Sequence, residues 1–394
     1  MTSQHSDQLV NPAILDQVHG WRDYAEAKLG FRNHWYPIIK SSEVEEGKPV
    51  TAMLCGEPLL FNRIDGVVHC VRDRCLHRGV KFSRKVECHT KATLTCWYHG
   101  YTYRWDDGKL VDIIAAPNSR VTNGKRAVRS FATEEAQGLV FVYMGDRNGE
   151  IPPLSRDVPP GFLDADKHFI PRTQVVNSNW RHGVENGFDT THIYIHRESR
   201  LVQENNMVLP LGFAPSETKS FELCEIGEGG PVGIVETYGP HVVPAFEGVI
   251  EGEVALRVSS DMEGKVVLPH TISMWVPCAL KVDPWPAPHT TQIEFYVPID
   301  ATRHLYVQTL GTAASTEEEK RAFTHEYNNR WLHYALDDFN GPDIWAREAA
   351  EEGYADDQQW VDEALFEADA NIIAFRRLIS DRNGGVQRPS DLRG

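Results

Sequence analysis

Two short segments each carry one cysteine and one histidine, and they are the first candidates for chemistry: Cys75-Leu76-His77 and Cys96-Trp97-Tyr98-His99. Two thiolates and two imidazoles can bind one tetrahedral zinc ion. They can also hold a Rieske [2Fe–2S] cluster, with both cysteines on one iron and both histidines on the other. Zinc sites usually pair ligands of one type at short spacing, whereas each segment here supplies one of each type. The spacing therefore favours a Rieske cluster bound by Cys75, His77, Cys96 and His99.

A second candidate metal site lies in the segment 185–196, which contains Asp189, His192 and His196. On a helix the two histidines would lie on one face, one turn apart, and Asp189 would share that face. Two neutral imidazoles and one carboxylate form the facial triad that holds ferrous iron in non-haem oxygenases. A histidine pair at this spacing also occurs without a metal, so the interpretation depends on the cluster motif beside it.

The spacing leaves the carboxylate of this triad open. Asp189 is one candidate, but three successive ligands on one helical turn would crowd. We therefore expect Asp189 to accept a hydrogen bond from His192 and to fix its tautomer. A distant carboxylate, Asp343, follows the break Asn340-Gly341-Pro342, where a new helix begins. Its competitors in the same region are Asp337, Asp338 and Glu348.

Ahead of the first site, apolar residues at helical spacing predict one N-terminal helix over residues 11–30, ending at Gly30. The elements that position the first site are short β-strands that follow this helix. From His34 to about Gly145 the pattern changes to short β-type runs separated by turn residues, which is typical of a small antiparallel β domain. The predicted strands include residues 58–64, 67–71, 93–96, 101–105 and 139–144.

The second site lies in a larger region that mixes strands and helices. A proline-rich stretch, residues 151–160, indicates a domain boundary. Strands are predicted at 271–276, 292–297 and 305–310. A helix at 315–339 has Ser315 and Glu318 at capping-box spacing, and another is predicted at 357–380. The predicted units are an N-terminal helical segment 1–31, a β domain 32–150 and an α+β domain 151–394.

Composition narrows the class of protein. The chain of 394 residues is 41% hydrophobic and 24% charged, as in ordinary globular proteins. A formal net charge of −16 argues against non-specific nucleic-acid binding. No apolar run is long enough to span a membrane, and residues 1–10 do not resemble a signal peptide, so we expect a cytoplasmic protein. The cysteines outside the two motifs are expected to be bystanders: Cys55, Cys70, Cys88, Cys224 and Cys278.

The two motifs, in this order and in a chain of this length, resemble the α subunits of Rieske non-haem iron ring-hydroxylating oxygenases. The similarity extends over nearly the whole chain. It is carried by residues 30–37, 73–80, 96–99, 185–196, 209–215 and 343–348. The resemblance implies the fold class α+β. A Rieske-type antiparallel β domain would precede a larger catalytic domain with a helix-grip-like antiparallel sheet and helices.

The same resemblance assigns roles to individual residues. It implies that Asp343 completes an iron triad with His192 and His196. It also implies that Asp189 bridges to the Rieske histidine His99 of a neighbouring subunit, so that electrons cross between subunits of a homotrimer. The cofactors implied are a [2Fe–2S] Rieske cluster and one mononuclear Fe(II).

A substrate pocket is implied as well. The carbonyl of Gly187 would accept the N–H of a carbazole-like fused aromatic, and Ile272, Trp285 and Phe339 would form apolar walls. Glycine suits that position because it lets the backbone approach a flat substrate. Trp285 is a departure, because the resemblance expects phenylalanine there, and the bulkier indole would narrow the pocket. The implied reaction is angular dioxygenation with O₂.

Electrons would reach the cluster from a ferredoxin and an upstream reductase. The segment 61–91 holds eight basic and three acidic residues, a local +5 that would steer an acidic ferredoxin. A solvated loop of mixed charge is the alternative. Two other functions remain open at this point: a Rieske monooxygenase such as an O-demethylase, and a zinc-stabilised small-molecule binding protein without turnover.

Overall fold

The computed structural model describes residues 9–146, 149–204, 207–208, 219–238, 245–259 and 266–393. Of the segments that carry the family resemblance, 209–215 lies outside these residues. None of the helices in the described ranges is both long and apolar enough to cross a bilayer.

The N-terminal segment does not form the single predicted helix. It contains two short helices, α1 (Pro12–Leu15) and α2 (Arg22–Glu26). The interruption includes Gly20, whose φ of +83° lies in the left-handed region that a continuous helix does not use. The apolar residues of the predicted helix still pack together, since Ile14, Leu15 and Val18 belong to one small buried cluster.

Eleven strands follow in three antiparallel sheets, as the alternating pattern predicted. They are β1 (Trp35–Lys40), β2 (Val50–Leu54), β3 (Glu57–Ile64), β4 (Val67–Arg72), β5 (Val86–Glu87), β6 (Thr93–Cys96), β7 (Tyr101–Arg104), β8 (Leu110–Ile113), β9 (Ser130–Phe131), β10 (Thr133–Ala136) and β11 (Leu139–Tyr143). The strand orders are β1-β11-β10, β2-β3-β4-β9 and β5-β6-β7-β8. The last of these sheets, with the loop after β4, carries the Cys/His motifs.

The rest of the chain is built around a seven-stranded antiparallel sheet of order β12-β22-β21-β20-β19-β15-β14. The strands are β12 (Lys167–Val176), β13 (Met207–Val208), β14 (Lys219–Glu225), β15 (Val232–Tyr238), β16 (Ala245–Ile250), β17 (Glu253–Ser259), β18 (Val266–Val267), β19 (Thr271–Trp275), β20 (Ala279–Asp283), β21 (Thr290–Pro298) and β22 (His304–Ala313). The helices are α3 (Trp180–Phe188), α4 (Arg200–Glu204), α5 (Glu317–Glu326), α6 (Gly341–Gly353), α7 (Gln359–Asp362) and α8 (Ala370–Arg382).

Both C-terminal helix predictions need correction. The capping box lies one residue later than predicted: the Thr316 hydroxyl accepts from the Glu319 amide at 3.2 Å, and Glu319 accepts from the Thr316 amide at 2.9 Å. After α5 the chain continues as a π-helix, Tyr327–Phe339, before α6 begins at Gly341 as expected. The helix predicted at 357–380 is divided into α7 and α8.

The division at 357–380 has a tertiary cause. Glu363 leaves the helical conformation, with φ −54° and ψ 129°. Its carboxylate receives both terminal nitrogens of Arg376, at 2.6 and 2.7 Å, and the Tyr354 hydroxyl at 2.6 Å. These charge-assisted bonds between distant residues outweigh the local helix preference.

Candidate metal centres

Two short loops present the four Cys/His side chains side by side. In one, the Gly79 amide donates to the Cys75 carbonyl at 2.9 Å, and in the other the Gly100 amide donates to the Cys96 carbonyl at 2.9 Å. The two arms therefore repeat one turn, in which cysteine opens the loop and histidine lies near its tip. This repetition places ligands of the same type next to each other.

The four side chains separate by type. Cys75 and Cys96 are buried, with 2% of each residue exposed, whereas His77 is exposed and His99 is half-buried. The Nδ1 atoms of the two histidines lie 3.0 Å apart, the separation expected of two ligands on one metal. In the part of the chain that the structure describes, no three of these four side chains have their ligand atoms within 4.8 Å of one another. The donor set thus fits a thiolate iron inside and an imidazole iron outside, and it does not fit one tetrahedral zinc.

Aromatic side chains surround this loop pair. The Tyr103 hydroxyl lies 3.3 Å from Cys75 Sγ and accepts from the Leu76 amide at 3.2 Å. Tyr101 stacks on His77, with ring centroids 4.8 Å apart. Tyr98, in contrast, is 51% exposed in the single chain.

His192, His196 and Asp343 meet at the second site. Asp343 Oδ1 lies 3.5 Å from His192 Nε2 and 3.3 Å from His196 Nε2. Two ligands about 2.1 Å from a metal and at right angles to each other would be about 3 Å apart. Both nitrogens of His196 and Oδ1 of Asp343 are buried and have no hydrogen-bond partner among the residues that the structure describes. Buried polar atoms are rarely left unpaired, so the three side chains fit a bound ferrous ion.

The local structure differs from the predicted helix. Helix α3 ends at Phe188, and His192–His196 forms a 3-10 helix. Asp189 caps α3 in an extended conformation, with ψ 112°, and so does not share a helical face with His192. His192 Nδ1 contacts the backbone carbonyl of Asp189. We had predicted a hydrogen bond from His192 to the side-chain carboxylate of Asp189 instead. A main-chain oxygen therefore holds the tautomer that leaves Nε2 free for the metal.

The other candidate carboxylates are bound elsewhere. Asp337 pairs with Arg172 at 2.7 Å. Asp338 accepts from the Ser199 hydroxyl at 2.6 Å, and Glu348 accepts from the Asn177 amide at 3.0 Å. This leaves Asp343 as the carboxylate at the histidine pair.

Asp343 is held in the ionised form that a metal ligand needs. Its burial would raise the pKa of the carboxyl, but His196, His192 and Arg347 together hold that pKa below its ordinary value. Arg347 is 1% exposed and its Nη2 lies 4.0 Å from Asp343 Oδ2. Its Nε donates to Asn186 Oδ1 at 2.6 Å, which fixes the guanidinium behind the carboxylate.

A cavity opens beside the triad, and two triad residues, His192 and Asp343, line it. All four residues expected at a substrate pocket line it: Gly187, Ile272, Trp285 and Phe339. The Phe339 ring lies 4.7 Å from that of Trp285, measured between centroids. The walls are mainly apolar with a few polar groups, which is typical of sites that bind small apolar molecules.

Gly187 lies where helix α3 approaches the sheet most closely. A Cβ at this position would lie 2.1 Å from the Tyr296 hydroxyl oxygen, so only glycine fits. If α3 continued, the Thr191 amide would donate to the Gly187 carbonyl. It donates instead to Asp189 Oδ1 at 2.7 Å. The Gly187 carbonyl therefore lacks that intrahelical partner and can accept a hydrogen bond from a ligand.

Sequence reasoning missed the polar residues of this cavity: Gln292, Glu294, Asn340 and Arg347. A signal was available on β21, where Gln292, Glu294 and Tyr296 alternate along a strand and so point to one face. Three polar side chains on a buried face of a central strand indicate a functional site. The other signal was the four-residue spacing of Asp343 and Arg347 on α6.

That the other five cysteines are bystanders stays a prediction. Cys88 is exposed and Cys224 is half-buried, while Cys55, Cys70 and Cys278 are buried; none has a disulfide partner. None belongs to a group of potential metal ligands.

A two-iron cluster site and a facial triad in one chain define a Rieske non-haem iron oxygenase. The profile of the Rieske [2Fe–2S] domain matches residues 34–132, and that of the homotrimeric ring hydroxylases matches residues 143–387. The chain belongs to this ring hydroxylase family and is a Rieske non-haem iron dioxygenase, which uses a [2Fe–2S] cluster and a mononuclear iron. The predicted fold class and family are confirmed, and the limits of the units 1–31, 32–150 and 151–394 stay a prediction.

Several known proteins are similar over the whole chain. The terminal oxygenase component of carbazole 1,9a-dioxygenase from Metapseudomonas resinovorans is 49% identical over 387 residues, 98% of this chain and 99% of its own. A reduced oxygenase–ferredoxin complex of carbazole 1,9a-dioxygenase has a TM-score of 0.92 and 48% identity, with 98% of each chain covered. A fluorene-bound oxygenase from the same system, with one phenylalanine replaced by tryptophan, has a TM-score of 0.92 and 49% identity and covers 98% of this chain and 100% of its own.

Proposed function

We propose that this chain is the terminal oxygenase of a multicomponent dioxygenase that attacks carbazole-like fused aromatics at the angular position. The observation that carries the proposal is the apolar cavity lined by His192 and Asp343, whose ligand atoms lie close to that of His196. The similarity to carbazole 1,9a-dioxygenase components over nearly the full length supports the same substrate class.

The ligand assignment is part of this proposal. Cys75 and Cys96 bind the buried iron of the cluster, and His77 and His99 bind the outer one. His192, His196 and Asp343 bind the mononuclear iron. When bound, the cluster supplies electrons one at a time and the ferrous ion supplies the position where O₂ is reduced.

The walls of the cavity orient the substrate. The Gly187 carbonyl accepts the ring N–H, and this contact fixes which edge of the molecule faces the triad. Ile272, Trp285 and Phe339 contact its faces and exclude water. The fluorene-bound relative has a tryptophan in place of a phenylalanine, and we propose that Trp285 occupies the corresponding position.

Electrons cross between copies in the proposed homotrimer. Asp189 Oδ1 accepts from the amide and the hydroxyl of Thr191, at 2.7 and 2.6 Å. Within the described residues, its Oδ2 accepts no hydrogen bond. Asp189 also lines a separate cavity, together with the exposed Leu365. We propose that the loop tip of a neighbouring copy enters there and that its His99 donates to Asp189.

Four exposed cations surround the cluster loops and form the proposed ferredoxin contact: Arg74, Arg78, Lys81 and Arg84. In the described residues none of them forms an ion pair. The other four basic residues of the segment 61–91 are already paired: Arg63 with Glu135, Arg72 with Glu57, Lys85 with Glu87 and Lys91 with Asp65. Half of the predicted basic patch thus remains to attract an acidic ferredoxin. We also propose a cytoplasmic location, on the ground that the cysteines are free.

The test begins with a metal and labile-sulfide assay on freshly purified protein. We expect about three irons per chain and acid-labile sulfide. A single turnover of chemically reduced protein with carbazole and labelled O₂ should then give a ring-opened amino-diol that contains both labelled atoms. One labelled atom in the product would establish a monooxygenase, and a colourless zinc protein would refute the proposal. Dibenzofuran and dioxin as parallel substrates define the range of rings accepted.

A further inference from the structure

Arg347 lies on α6, one helical turn after Asp343, and is 1% exposed. It lines the substrate cavity, and it also lines the cavity that contains Asn186 and Asp189, which we call the docking cavity. Of the described residues that line either cavity, Arg347 alone lines both. Arg347 therefore lies between the proposed iron site and the surface proposed to receive a neighbouring subunit.

The guanidinium of Arg347 is held by a hydrogen bond and by two aromatic rings. Its Nε donates to Asn186 Oδ1 at 2.6 Å, and its Cζ lies 4.5 Å from the ring centroid of Tyr306 and 5.0 Å from that of Tyr296. The hydroxyls of these tyrosines donate to the Glu294 carboxylate, each at 2.5 Å, so the rings are themselves fixed. Because a guanidinium is planar and rigid, fixing Nε also fixes the direction of the other two nitrogens.

The other end of the guanidinium approaches the triad carboxylate. Asp343 Oδ1 faces His192 and His196, whereas Oδ2 lies 4.0 Å from Arg347 Nη2. The terminal torsion of an aspartate is soft, so a ligating carboxylate takes its orientation from its neighbours. A buried cation beside Oδ2 keeps Oδ1 turned towards the two imidazoles and balances the buried negative charge. Iron binding should therefore depend on the position of Arg347.

Asn186 connects this arrangement to the docking cavity. Glu185, Asn186 and Asp189 line that cavity at the C-terminal end of α3, and Asp189 is the proposed contact with the neighbouring copy. Glu185 is anchored by Arg376, whose Nε and Nη2 donate to its two carboxylate oxygens, both at 2.7 Å. One end of one helix thus carries both the proposed subunit contact and the acceptor that fixes Arg347.

We propose that Arg347 is a positioning residue of the mononuclear iron site, which orients Asp343 and takes its own position from Asn186. The side chain links the face that receives the neighbouring subunit to a ligand of the iron. Replacing a residue that holds a metal ligand in place typically lowers metal affinity by about 10- to 100-fold. This inference rests on the proposed ligand assignment and on the proposed subunit contact at Asp189.

Asn186→Leu is the direct test, because it removes the acceptor for Arg347 Nε and Asn186 does not line the substrate cavity. The reduced holoenzyme is mixed with a ferrous chelator, and release of the mononuclear iron is timed while the absorption of the intact cluster is monitored. We expect release about tenfold faster than in the wild type. The electron paramagnetic resonance spectrum of the nitric oxide adduct of the ferrous site should also change, because it reports ligand orientation. A loss of fold stability alone does not alter that spectrum.

Two variants separate this role from general damage to the helices. Asn186→Asp keeps an acceptor for Arg347 Nε and should release iron at the wild-type rate. Glu348→Leu, next to Arg347 on α6, removes the hydrogen bonds to Asn177 at 3.0 Å and should also leave iron release unchanged. A wild-type release rate or an unchanged spectrum in Asn186→Leu, or equally fast release from either control, would overturn the proposal.

Arg347→Lys provides a second test, because lysine keeps the charge but lacks the planar fork that spans Asn186 and Asp343. Adding Asn186→Leu to Arg347→Lys should accelerate iron release little further, whereas effects that multiply would show that Arg347 is not the link. If Arg347→Lys does not fold, Asn186→Leu and its two controls decide. A wrong ligand assignment would show itself separately, since His192→Ala would then keep its mononuclear iron.

Discussion

The imidazole of His196 stacks on the phenyl ring of Phe339, with ring centroids 3.9 Å apart and ring planes inclined by 12°. Phe339 in turn contacts Trp285. One aromatic ring at the end of the π-helix thus touches a proposed iron ligand on one side and the proposed substrate wall on the other. Changes in the wall near Phe339 therefore act close to the reacting centre.

Trp285→Phe is expected to change substrate preference without loss of iron, because it widens the cavity beside Phe339 and leaves the triad in place. The ratio of kcat/KM between carbazole and a smaller aromatic should change by about tenfold. Trp331→Phe is the matched control, since Trp331 belongs to the same buried cluster but does not line the cavity. Equal effects of both substitutions would contradict the assignment of Trp285 to the pocket.

His192→Ala should abolish product formation while the Rieske absorption spectrum persists, because the two sites use separate ligands. Metal analysis should show a decrease from about three to about two irons per chain. His77→Ala provides the opposite case and should remove the cluster spectrum. A loss of cluster absorption in His192→Ala would mean that the ligands were assigned to the wrong sites.

Gly187→Ala should destabilise the fold by about 1–3 kcal/mol, because its new methyl group would overlap the Tyr296 hydroxyl. The measurement is urea unfolding followed by tryptophan fluorescence. Adding Tyr296→Phe to Gly187→Ala removes the atom in closest contact and should restore part of the lost stability, relative to Tyr296→Phe alone. Additive losses in the double variant would show that the contact with Tyr296 is not the cause.

Asp157→Asn should show a stability loss that depends on pH. Burial would raise the pKa of Asp157, but His34 and Arg156 hold it below the ordinary value. The carboxylate accepts from Trp35 N at 2.8 Å and lies 2.9 Å from His34 Nδ1. A depressed carboxyl pKa stabilises the fold above the unfolded-state pKa of about 3.9, and this contribution is lost as the pH falls through the folded-state pKa.

At pH 7 we therefore expect Asp157→Asn to cost about 3 kcal/mol, as when one partner of a buried ion pair is removed. The difference in unfolding free energy between wild type and variant should narrow below about pH 4. Comparison of the two proteins at each pH cancels the effect of acid on the cluster. A difference that stays constant with pH would show that the charge of Asp157 has no part in its role.

Lys81→Glu combined with Arg84→Glu should weaken electron delivery from ferredoxin by about tenfold at low salt, because both changes reverse the charge of the proposed docking surface. The effect should shrink as salt is added, and chemical reduction of the cluster should be unaffected. Lys320→Glu, on α5, reverses a charge that is already paired with Glu317 and serves as the control. If Lys320→Glu has the same effect, net charge and not the proposed surface controls the rate.

The sequence by itself determined the ligand types and most of the strands. The Cys-x-His and Cys-x-x-His segments specify a mixed thiolate and imidazole set through covalent spacing alone. Alternating apolar residues predicted β6 at its observed limits and β3, β7 and β11 to within one residue. These features depend on near neighbours in the chain, which a sequence pattern records directly.

Only the tertiary structure decided which side chains converge. It selected Asp343 over Asp337, Asp338 and Glu348, because the latter three are bound to partners far away in the sequence. It has a 3-10 helix at His192–His196 in place of the predicted helix, and the carbonyl of Asp189, at the end of α3, orients the His192 imidazole. It also placed Glu294 at the cavity wall, where Tyr306 on β22 and Asn340, just before α6, donate to its carboxylate. Burial and charge pairing between distant segments set these outcomes, and local spacing carries no information about them.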